Sequence, residues 1–188
     1  MKRTIGLIFF LLLLAGCMNK IETNMDSKVA DFSFTNQFEE KVSLDDLAGD
    51  YWIAYFFYTD CKMVCPRTTA NMADVQQALL DENVTPNIVG FTVDPDFDTA
   101  EVLINYAEEY GIDNDSFTML TGYEFDEVQS LSKNSFKSVL EDGGPKDNAF
   151  AHSTYFFLVD DKGQVVKRYD GLSMKEIDLL IEDAKKVM

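Results

Sequence analysis

The chain has 188 residues, of which 46% are hydrophobic while only 10 are Gly and 4 are Pro, so a disordered or collagen-like chain is excluded and one packed domain is expected. Asp and Glu number 33 against 16 Lys and Arg, which gives a formal net charge of −17. Such an acidic chain repels phosphate backbones, and we expect no nucleic-acid partner.

The N-terminus has the form of an export signal. Lys2 and Arg3 precede an apolar run at residues 5–14, which is shorter than the ~20 residues that span a bilayer and ends in small residues. Residues 14–17, Leu-Ala-Gly-Cys, resemble a bacterial lipobox, which implies cleavage before Cys17 and a diacylglycerol chain on its sulfur.

This pattern predicts three segments and a location. They are a cleaved lipoprotein signal peptide at residues 1–16, a lipid-anchored flexible tether at 17–29 and a folded domain at 30–188. We expect the mature protein to lie on the extracytoplasmic side of a bacterial cell membrane, with Cys17 as its only attachment.

The domain is predicted to begin with a small hairpin at residues 31–44. A continuous aromatic and aliphatic run at 51–58 is typical of a strand buried on both faces of a sheet. It leads to Cys61, and a helix is expected after Cys65 because Pro66 is favoured at the first helical position.

The remaining pattern alternates strands and helices. We predict a strand at 87–93, a helix capped by Asp98 and ended by Gly111, a strand at 117–120, a helix at 124–133, a loop at 134–150, a hairpin at 153–169 and a final helix from about Ser173. This order predicts an α/β, thioredoxin-like fold, with a central mixed sheet flanked by helices and an N-terminal β-hairpin extension.

Cys61 and Cys65 lie four positions apart, where the buried strand turns into the helix. The arrangement resembles thioredoxin, in which the helix N-terminus stabilises a thiolate, so we expect one acidic thiol. Outside the cytoplasm such a pair is a disulfide, a redox couple or two soft metal ligands. Residues i and i+4 of a helix have Cβ atoms ~5–6 Å apart, against ~3.8 Å in a disulfide, so a bridge requires Cys61 in the loop.

His152 is the single histidine of the chain and stands directly before the last predicted hairpin. The start of an antiparallel strand returns to the sheet edge where parallel strands end, so His152 can approach Cys61 and Cys65. Two thiolates and one imidazole form a soft, incomplete ligand set, which suits Cu(I) or Cu(II) better than structural zinc, normally closed by four ligands. A hydrogen-bonded histidine at a strand edge is the alternative interpretation.

Three motifs in this order resemble the Sco family, which are lipid-anchored or membrane-anchored thioredoxin-fold proteins named for synthesis of cytochrome c oxidase. Residues 57–66 are similar to the family's aromatic-Thr-x-Cys-x-x-x-Cys-Pro signature. Residues 93–99 resemble its Asp-Pro motif, and His152 with Ser153 and Thr154 resembles its third motif. The likeness runs from about Ala30 to the C-terminus, and many members carry Pro where Lys62 stands.

The resemblance implies that Cys61, Cys65 and His152 bind copper, with Asp94 as a nearby carboxylate that tunes or completes the site. It implies two functions at the dinuclear copper centre of a cytochrome c oxidase subunit. One is a metallochaperone that delivers copper. The other is a dedicated thiol–disulfide oxidoreductase that keeps the subunit's cysteines reduced, in which Cys61 attacks, Cys65 resolves and a thiol reductant is a further partner.

Two points stay open in the sequence. Asp94 follows a strand and precedes a proline, which is equally typical of a turn or helix cap. Thioredoxins carry a Pro facing the Cys pair, and residues 148–152 contain none. Its absence argues against a generalist reductase but not against a reductant for one protein. A peroxide-reducing or redox-sensing lipoprotein is the least favoured alternative.

Overall fold

The computed structural model describes residues 21–143 and 150–188. The predicted signal peptide and the predicted lipidation site at Cys17 lie outside these ranges, as do residues 144–149 of the predicted loop. Within the described ranges, none of the helices has the length and apolar character needed to cross a membrane.

The described residues form ten strands and four α-helices. The strands are β1 Ser27–Lys28, β2 Ser33–Asn36, β3 Lys41–Ser43, β4 Trp52–Phe57, β5 Ile88–Thr92, β6 Phe117–Thr121, β7 Leu140–Asp142, β8 Phe150–His152, β9 Tyr155–Val159 and β10 Gln164–Asp170. The helices are α1 Cys65–Asp81, α2 Ala100–Glu109, α3 Phe125–Ser135 and α4 Met174–Val187. A short 3-10 turn spans Asp45–Leu47.

Eight strands form one mixed sheet in the order β1-β10-β9-β4-β5-β6-β2-β3. The central strands β4, β5 and β6 run parallel, because helices α1 and α2 connect them, and the remaining pairs are antiparallel. The predicted N-terminal hairpin, β2–β3, extends this sheet beyond β6. The predicted thioredoxin-like α/β fold is confirmed.

Side chains of β4 alternate between two apolar clusters, one on each face of the sheet. Ile53, Tyr55 and Phe57 pack in the cluster that contains residues of α1, α2 and α4. Trp52 and Phe56 pack in the other cluster, which also holds Cys61 and Cys65. All six residues of β4 are buried, so the apolar run before the cysteines forms the centre of the fold.

Two segments differ from the sequence-based expectation. Residues 21–29 do not extend away from the domain as a tether, because Ile21 and Val29 are buried and Ser27 pairs with Val165 of β10. The predicted loop at 134–150 contains β7, which pairs with β8 in a separate two-stranded sheet. His152 therefore lies within a strand, opposite Leu140.

Candidate metal centre

The two cysteines lie at the edge of the sheet where β4 and β5 end. Phe57 and Thr92 are paired at the last register position of the two strands, and the Val93 N–H donates to the Phe57 carbonyl at 2.7 Å. The chain then forms a turn at residues 58–64 and enters α1 at Cys65, with a proline at the start of the helix. Cys61 is therefore in the loop, as a bridge between the thiols would require.

Three potential ligand atoms converge at this turn. The Sγ atoms of Cys61 and Cys65 and a ring nitrogen of His152 all lie within 4.8 Å of one another. The Cys65 Sγ atom is 3.0 Å from His152 Nε2. Both thiols are free and buried, whereas the imidazole is half-buried. The predicted approach of His152 to the cysteine pair is confirmed.

The hydrogen bonding of His152 prepares its other nitrogen for a ligand. Nδ1 lies 3.0 Å from the carbonyl oxygen of Ser153. A carbonyl oxygen only accepts, so Nδ1 carries the proton and donates it. In the neutral imidazole, the lone pair of Nε2 then points at the thiols, and a backbone contact that fixes the ring in this way is the usual support of a metal-binding histidine.

The two thiols have opposite acid–base properties. Burial raises the pKa of the Cys61 thiol, but a hydrogen bond from Nε2 of His152, which the ring donates only when it is protonated, and hydrogen bonds from the thiol and N–H of Cys65 outweigh this effect and lower the pKa to about 5. The Cys65 N–H donates to the Cys61 sulfur at 3.4 Å, at the N-terminus of α1. Burial and the hydrogen bond to Cys61 raise the pKa of Cys65 far above its ordinary value. The expected single acidic thiol is Cys61.

Tyr58 contacts the site, although it belongs to the aromatic run that the sequence pattern predicts to be core. Its buried ring packs edge-on against His152, with the ring centroids 5.7 Å apart, and against Phe150 at 5.3 Å. Burial raises the pKa of Tyr58, and a hydrogen bond between its hydroxyl and the Cys61 sulfur raises it further. The sequence feature that could have identified Tyr58 as a site residue is its position at the end of a strand that leads to a cysteine.

Asp94 is buried at the same edge but does not belong to the three-ligand group. Burial raises the pKa of its carboxyl, a hydrogen bond from the Phe97 N–H offsets part of this, and the neighbouring carboxylates of Asp96 and Asp60 raise it again. The Phe97 N–H also donates to the backbone carbonyl of Asp94 at 3.1 Å, so Asp94 stands at the start of a turn beside the three-ligand group.

The predicted cap at Asp98 is wrong. Thr99 is the N-cap of α2, and its side chain accepts the Val102 N–H at 3.4 Å. Asp98 is instead fully buried and accepts hydrogen bonds from Thr59 and Thr92. Burial raises the pKa of Asp98, and these hydrogen bonds offset part of the increase. Asp and Thr are both favoured N-cap residues, so the local sequence cannot tell which of Asp98 and Thr99 caps the helix. The contacts of Asp98 with residues distant in sequence decide it.

These observations define a class of site: two thiols and one imidazole at the strand–helix turn of a thioredoxin-like domain. The donor set is soft and leaves a coordination position free, which fits Cu(I), or Cu(II) bound through thiolate and imidazole. A structural zinc site would require a fourth ligand, and within the described residues the group contains three.

Comparison with known proteins identifies the family of this chain. The SCO1/SenC family model matches residues 21–188. The SCO1 protein homolog of Bacillus subtilis (strain 168) is 36% identical over 182 residues, which cover 97% of this chain and 93% of that protein. The chain therefore belongs to the SCO1/SenC family.

Solved structures agree in fold. The crystal structure of a SCO1/SenC family lipoprotein from Bacillus anthracis str. Ames has a TM-score of 0.81 and 35% identity, covering 86% of this chain and 95% of that one. Yeast Sco1, solved with copper bound, has a TM-score of 0.68 and 26% identity, covering 86% and 91% of the two chains.

Proposed function

We propose that this protein is an extracytoplasmic copper chaperone that takes part in assembly of the dinuclear copper centre of cytochrome c oxidase. The observation that carries the proposal is the convergence of Cys61, Cys65 and His152 within 4.8 Å. Family membership and the copper-bound yeast relative support it. We further propose that a lipid on Cys17 holds the protein at the membrane, which the lipobox-like sequence and the Bacillus anthracis lipoprotein support.

The three side chains have separate roles in copper binding. Cys61 is the thiolate at neutral pH and receives the metal first, because its pKa is lowered to about 5. Cys65 keeps its proton until the metal displaces it, since its pKa is raised. His152 binds the metal as the neutral imidazole, through Nε2, which already faces the thiols.

Copper titration tests this function. The full chain is used in detergent micelles, with Cys17→Ala as the common background so that Cys61 and Cys65 are its remaining thiols. We expect one Cu(I) or one Cu(II) per chain, with a thiolate-to-copper absorption band for Cu(II). Cys61→Ser, Cys65→Ser and His152→Ala should each abolish or shift that band.

Met63→Leu is the matched control, because it removes an exposed soft sulfur from the same turn without touching the three ligands. It should leave stoichiometry and spectrum unchanged. A native protein that binds no copper, or a His152→Ala variant with native affinity and spectrum, would contradict the chaperone function.

A dedicated thiol–disulfide oxidoreductase is the second candidate function, and the acidic Cys61 favours it. In this reaction the Cys61 thiolate attacks a disulfide of the oxidase subunit and forms a mixed disulfide, releasing one subunit thiol. Cys65 then attacks the Cys61 sulfur, which releases the second subunit thiol and leaves a Cys61–Cys65 disulfide. An external dithiol must reduce that disulfide for the next cycle.

Trapping separates the two candidates. Cys65→Ser cannot resolve the mixed disulfide, so an oxidoreductase should accumulate this species with a disulfide-bonded peptide from the copper-centre subunit. His152→Ala should not prevent its formation. Reversible oxidation of Cys61 and Cys65 without copper binding would favour the reductant over the chaperone.

A further inference from the structure

We infer that Asp98 is a positioning residue, which fixes the turn that carries Cys61 against the end of β5 and so sets where the Cys61 sulfur meets the metal. The inference rests on the proposed copper site and adds to it a residue that contacts none of the three ligands.

The carboxylate of Asp98 joins two turns at the site edge. Oδ1 accepts the hydroxyl of Thr59 at 2.5 Å, and Oδ2 accepts the backbone N–H of Thr59 at 3.2 Å. Oδ2 also accepts the hydroxyl of Thr92, at the end of β5. Asp98 itself is inaccessible to solvent, so these bonds replace its hydration.

The same network reaches the turn that contains Asp94. The hydroxyl of Thr92 accepts the Asp94 N–H at 3.1 Å, and the Asp98 N–H donates to the Asp94 carbonyl at 2.9 Å. One buried carboxylate thus holds the cysteine turn, the strand end and the Asp94 turn together.

No other polar link performs this task in the part of the chain that the structure describes. The ladder between β4 and β5 ends with the bond from the Val93 N–H to the Phe57 carbonyl. Beyond it, no backbone–backbone hydrogen bond joins residues 59–63 to residues 94–98. Thr59 is two positions before Cys61, so its bonds to Asp98 fix the start of the turn from which the thiol projects.

The three ligands therefore depend on different supports. Cys65 is held by α1, and His152 is held by β8 and by the Ser153 carbonyl. Cys61 lies on the turn, outside any helix or strand, where its sulfur accepts the Cys65 N–H at 3.4 Å. Loss of the Asp98 carboxylate should displace the Cys61 sulfur and leave the other two ligand atoms in place.

Four single variants of the Cys17→Ala chain in detergent micelles test this role. Asp98→Ala removes the carboxylate, Asp98→Asn keeps its shape with one acceptor oxygen, and Thr59→Val removes the hydroxyl on the opposite side of the bond. Asp96→Asn is the matched control, because it removes a carboxylate from the same turn at an exposed position. Circular dichroism and thermal unfolding establish which variants fold.

Copper binding gives the first measurement. We expect the Cu(I) dissociation constant to rise roughly tenfold to a hundredfold in Asp98→Ala and Thr59→Val, the range seen when a support of a metal ligand is lost. At saturating Cu(II), the thiolate-to-copper band should shift in these variants, which a loss of stability alone would not cause. Asp98→Asn should be intermediate, and Asp96→Asn should match the native protein.

The thiol–disulfide equilibrium of Cys61 and Cys65 with glutathione gives a second measurement without metal. It should change by roughly fivefold or more in Asp98→Ala and Thr59→Val, because the distance between the sulfurs changes. If the native protein bound no copper, the proposed copper function would fail, and this equilibrium would still decide the role of Asp98.

Folded variants that stay within about twofold of the native protein in both measurements, with an unshifted band, would overturn the inference. If Asp98→Ala does not fold, Asp98→Asn and Thr59→Val decide by the same criterion. An equal effect from Asp96→Asn would also overturn it, because the loss would then follow from charge in the turn rather than from the buried bonds.

Discussion

The metal centre joins two regions with different support. Cys61 and Cys65 follow the central strand β4, which is buried along its whole length and flanked by strands on both sides. His152 belongs to β8, which among the described residues pairs with β7 in a small separate sheet and is half-buried. The cysteine region is part of the core, whereas the histidine region is attached to it.

This difference divides the three ligands of the proposed chaperone into two groups with different roles. Two ligands fixed in the core supply the larger part of the affinity for a soft metal. The third comes from a strand held by aromatic contacts of Phe150 with Tyr58 and Phe125. Such a ligand can leave without disturbing the core, which suits a site that must release its metal to an acceptor.

The largest expected effect tests this division directly. Cys65→Ser should weaken Cu(I) binding on the order of a thousandfold, whereas His152→Ala should weaken it only about tenfold, because two thiolates still hold Cu(I). With Cu(II), which imidazole suits better, His152→Ala should cost about a hundredfold. Competition with chelators of known affinity measures both ions.

Ser153→Ala is the control, because it alters the residue beside His152 but keeps the carbonyl that holds Nδ1. Equal losses for Cys65→Ser and His152→Ala with Cu(I) would contradict the division between a core pair and an attached ligand.

The second prediction concerns a buried ion pair in the other apolar cluster. The Asp183 carboxylate accepts hydrogen bonds from Lys167 Nζ at 2.6 Å and the Tyr169 hydroxyl at 3.0 Å, and Lys167 and Asp183 are both almost fully buried. Asp183→Asn removes the negative charge that compensates the buried Lys167 ammonium, so the free energy of unfolding should fall by about 3 kcal/mol. Denaturant unfolding measures this, and the exposed Asp178→Asn on the same helix is the control.

The stability from Asp183 also depends on pH. Burial raises its pKa, but hydrogen bonds from Lys167 and Lys186 outweigh this and hold the pKa below its ordinary value. The contribution is therefore complete above the unfolded-state pKa of about 3.9 and is lost as the pH falls through the lower folded-state value. Copper affinity of folded Asp183→Asn should equal that of the native protein. A weakened metal site would show that the core cluster and the metal centre are coupled.

Most of the fold follows from local signals in the sequence. The apolar run of β4 has the length and composition of a buried strand, and Pro66 marks the start of α1, so the cysteine turn was predictable. The approach of His152 followed from topology, because an antiparallel strand returns to the edge where β4 ends.

The missed features depend on partners distant in sequence. Leu140–Asp142 has two exposed residues and no strand pattern, and it becomes β7 because it pairs with β8. β1 is two residues long and exists through its pairing with β10. Asp98 looks like a helix cap until Thr59 and Thr92 are folded against it. No local propensity contains that information.

A third prediction distinguishes the two thiols within the core pair. Metal-free Cys61 should react with iodoacetamide at a rate that rises with pH through about 5 and levels off, because the thiolate is the nucleophile. Near neutral pH it should react roughly tenfold faster than an ordinary cysteine, since the lower basicity reduces the gain from ionisation. Mass spectrometry of each cysteine peptide from about pH 4 to about pH 9 measures the profile.

Cys61→Ser supplies the control for Cys65. The buried thiol of Cys65 has a raised pKa, so Cys65 should remain unmodified at neutral pH. A midpoint near the ordinary cysteine value of about 8.5 for Cys61 would show that His152 and Cys65 do not stabilise its thiolate in solution.

The smallest expected effect tests how firmly the strand that carries His152 is held against the cysteine turn. Phe150→Ala removes the ring that packs on Tyr58 and Phe125, with centroid distances of 5.3 and 5.5 Å. The strand that carries His152 should then separate more often from the cysteine turn. Copper should dissociate roughly threefold to fivefold faster while the association rate changes little, because weaker support mainly alters the off-rate. Stopped-flow transfer to a chelator measures dissociation.

Two further variants make this prediction specific. Phe150→Leu retains part of the apolar contact and should lie between Phe150→Ala and the native protein. Phe38→Ala removes a half-exposed ring in the turn between β2 and β3 and should change nothing. If Phe150→Ala released copper at the native rate, β7 and the Ser153 carbonyl would suffice to hold His152 in place. The imidazole would then be as firmly fixed as the two thiols, and release of the metal would have to begin at the cysteine turn.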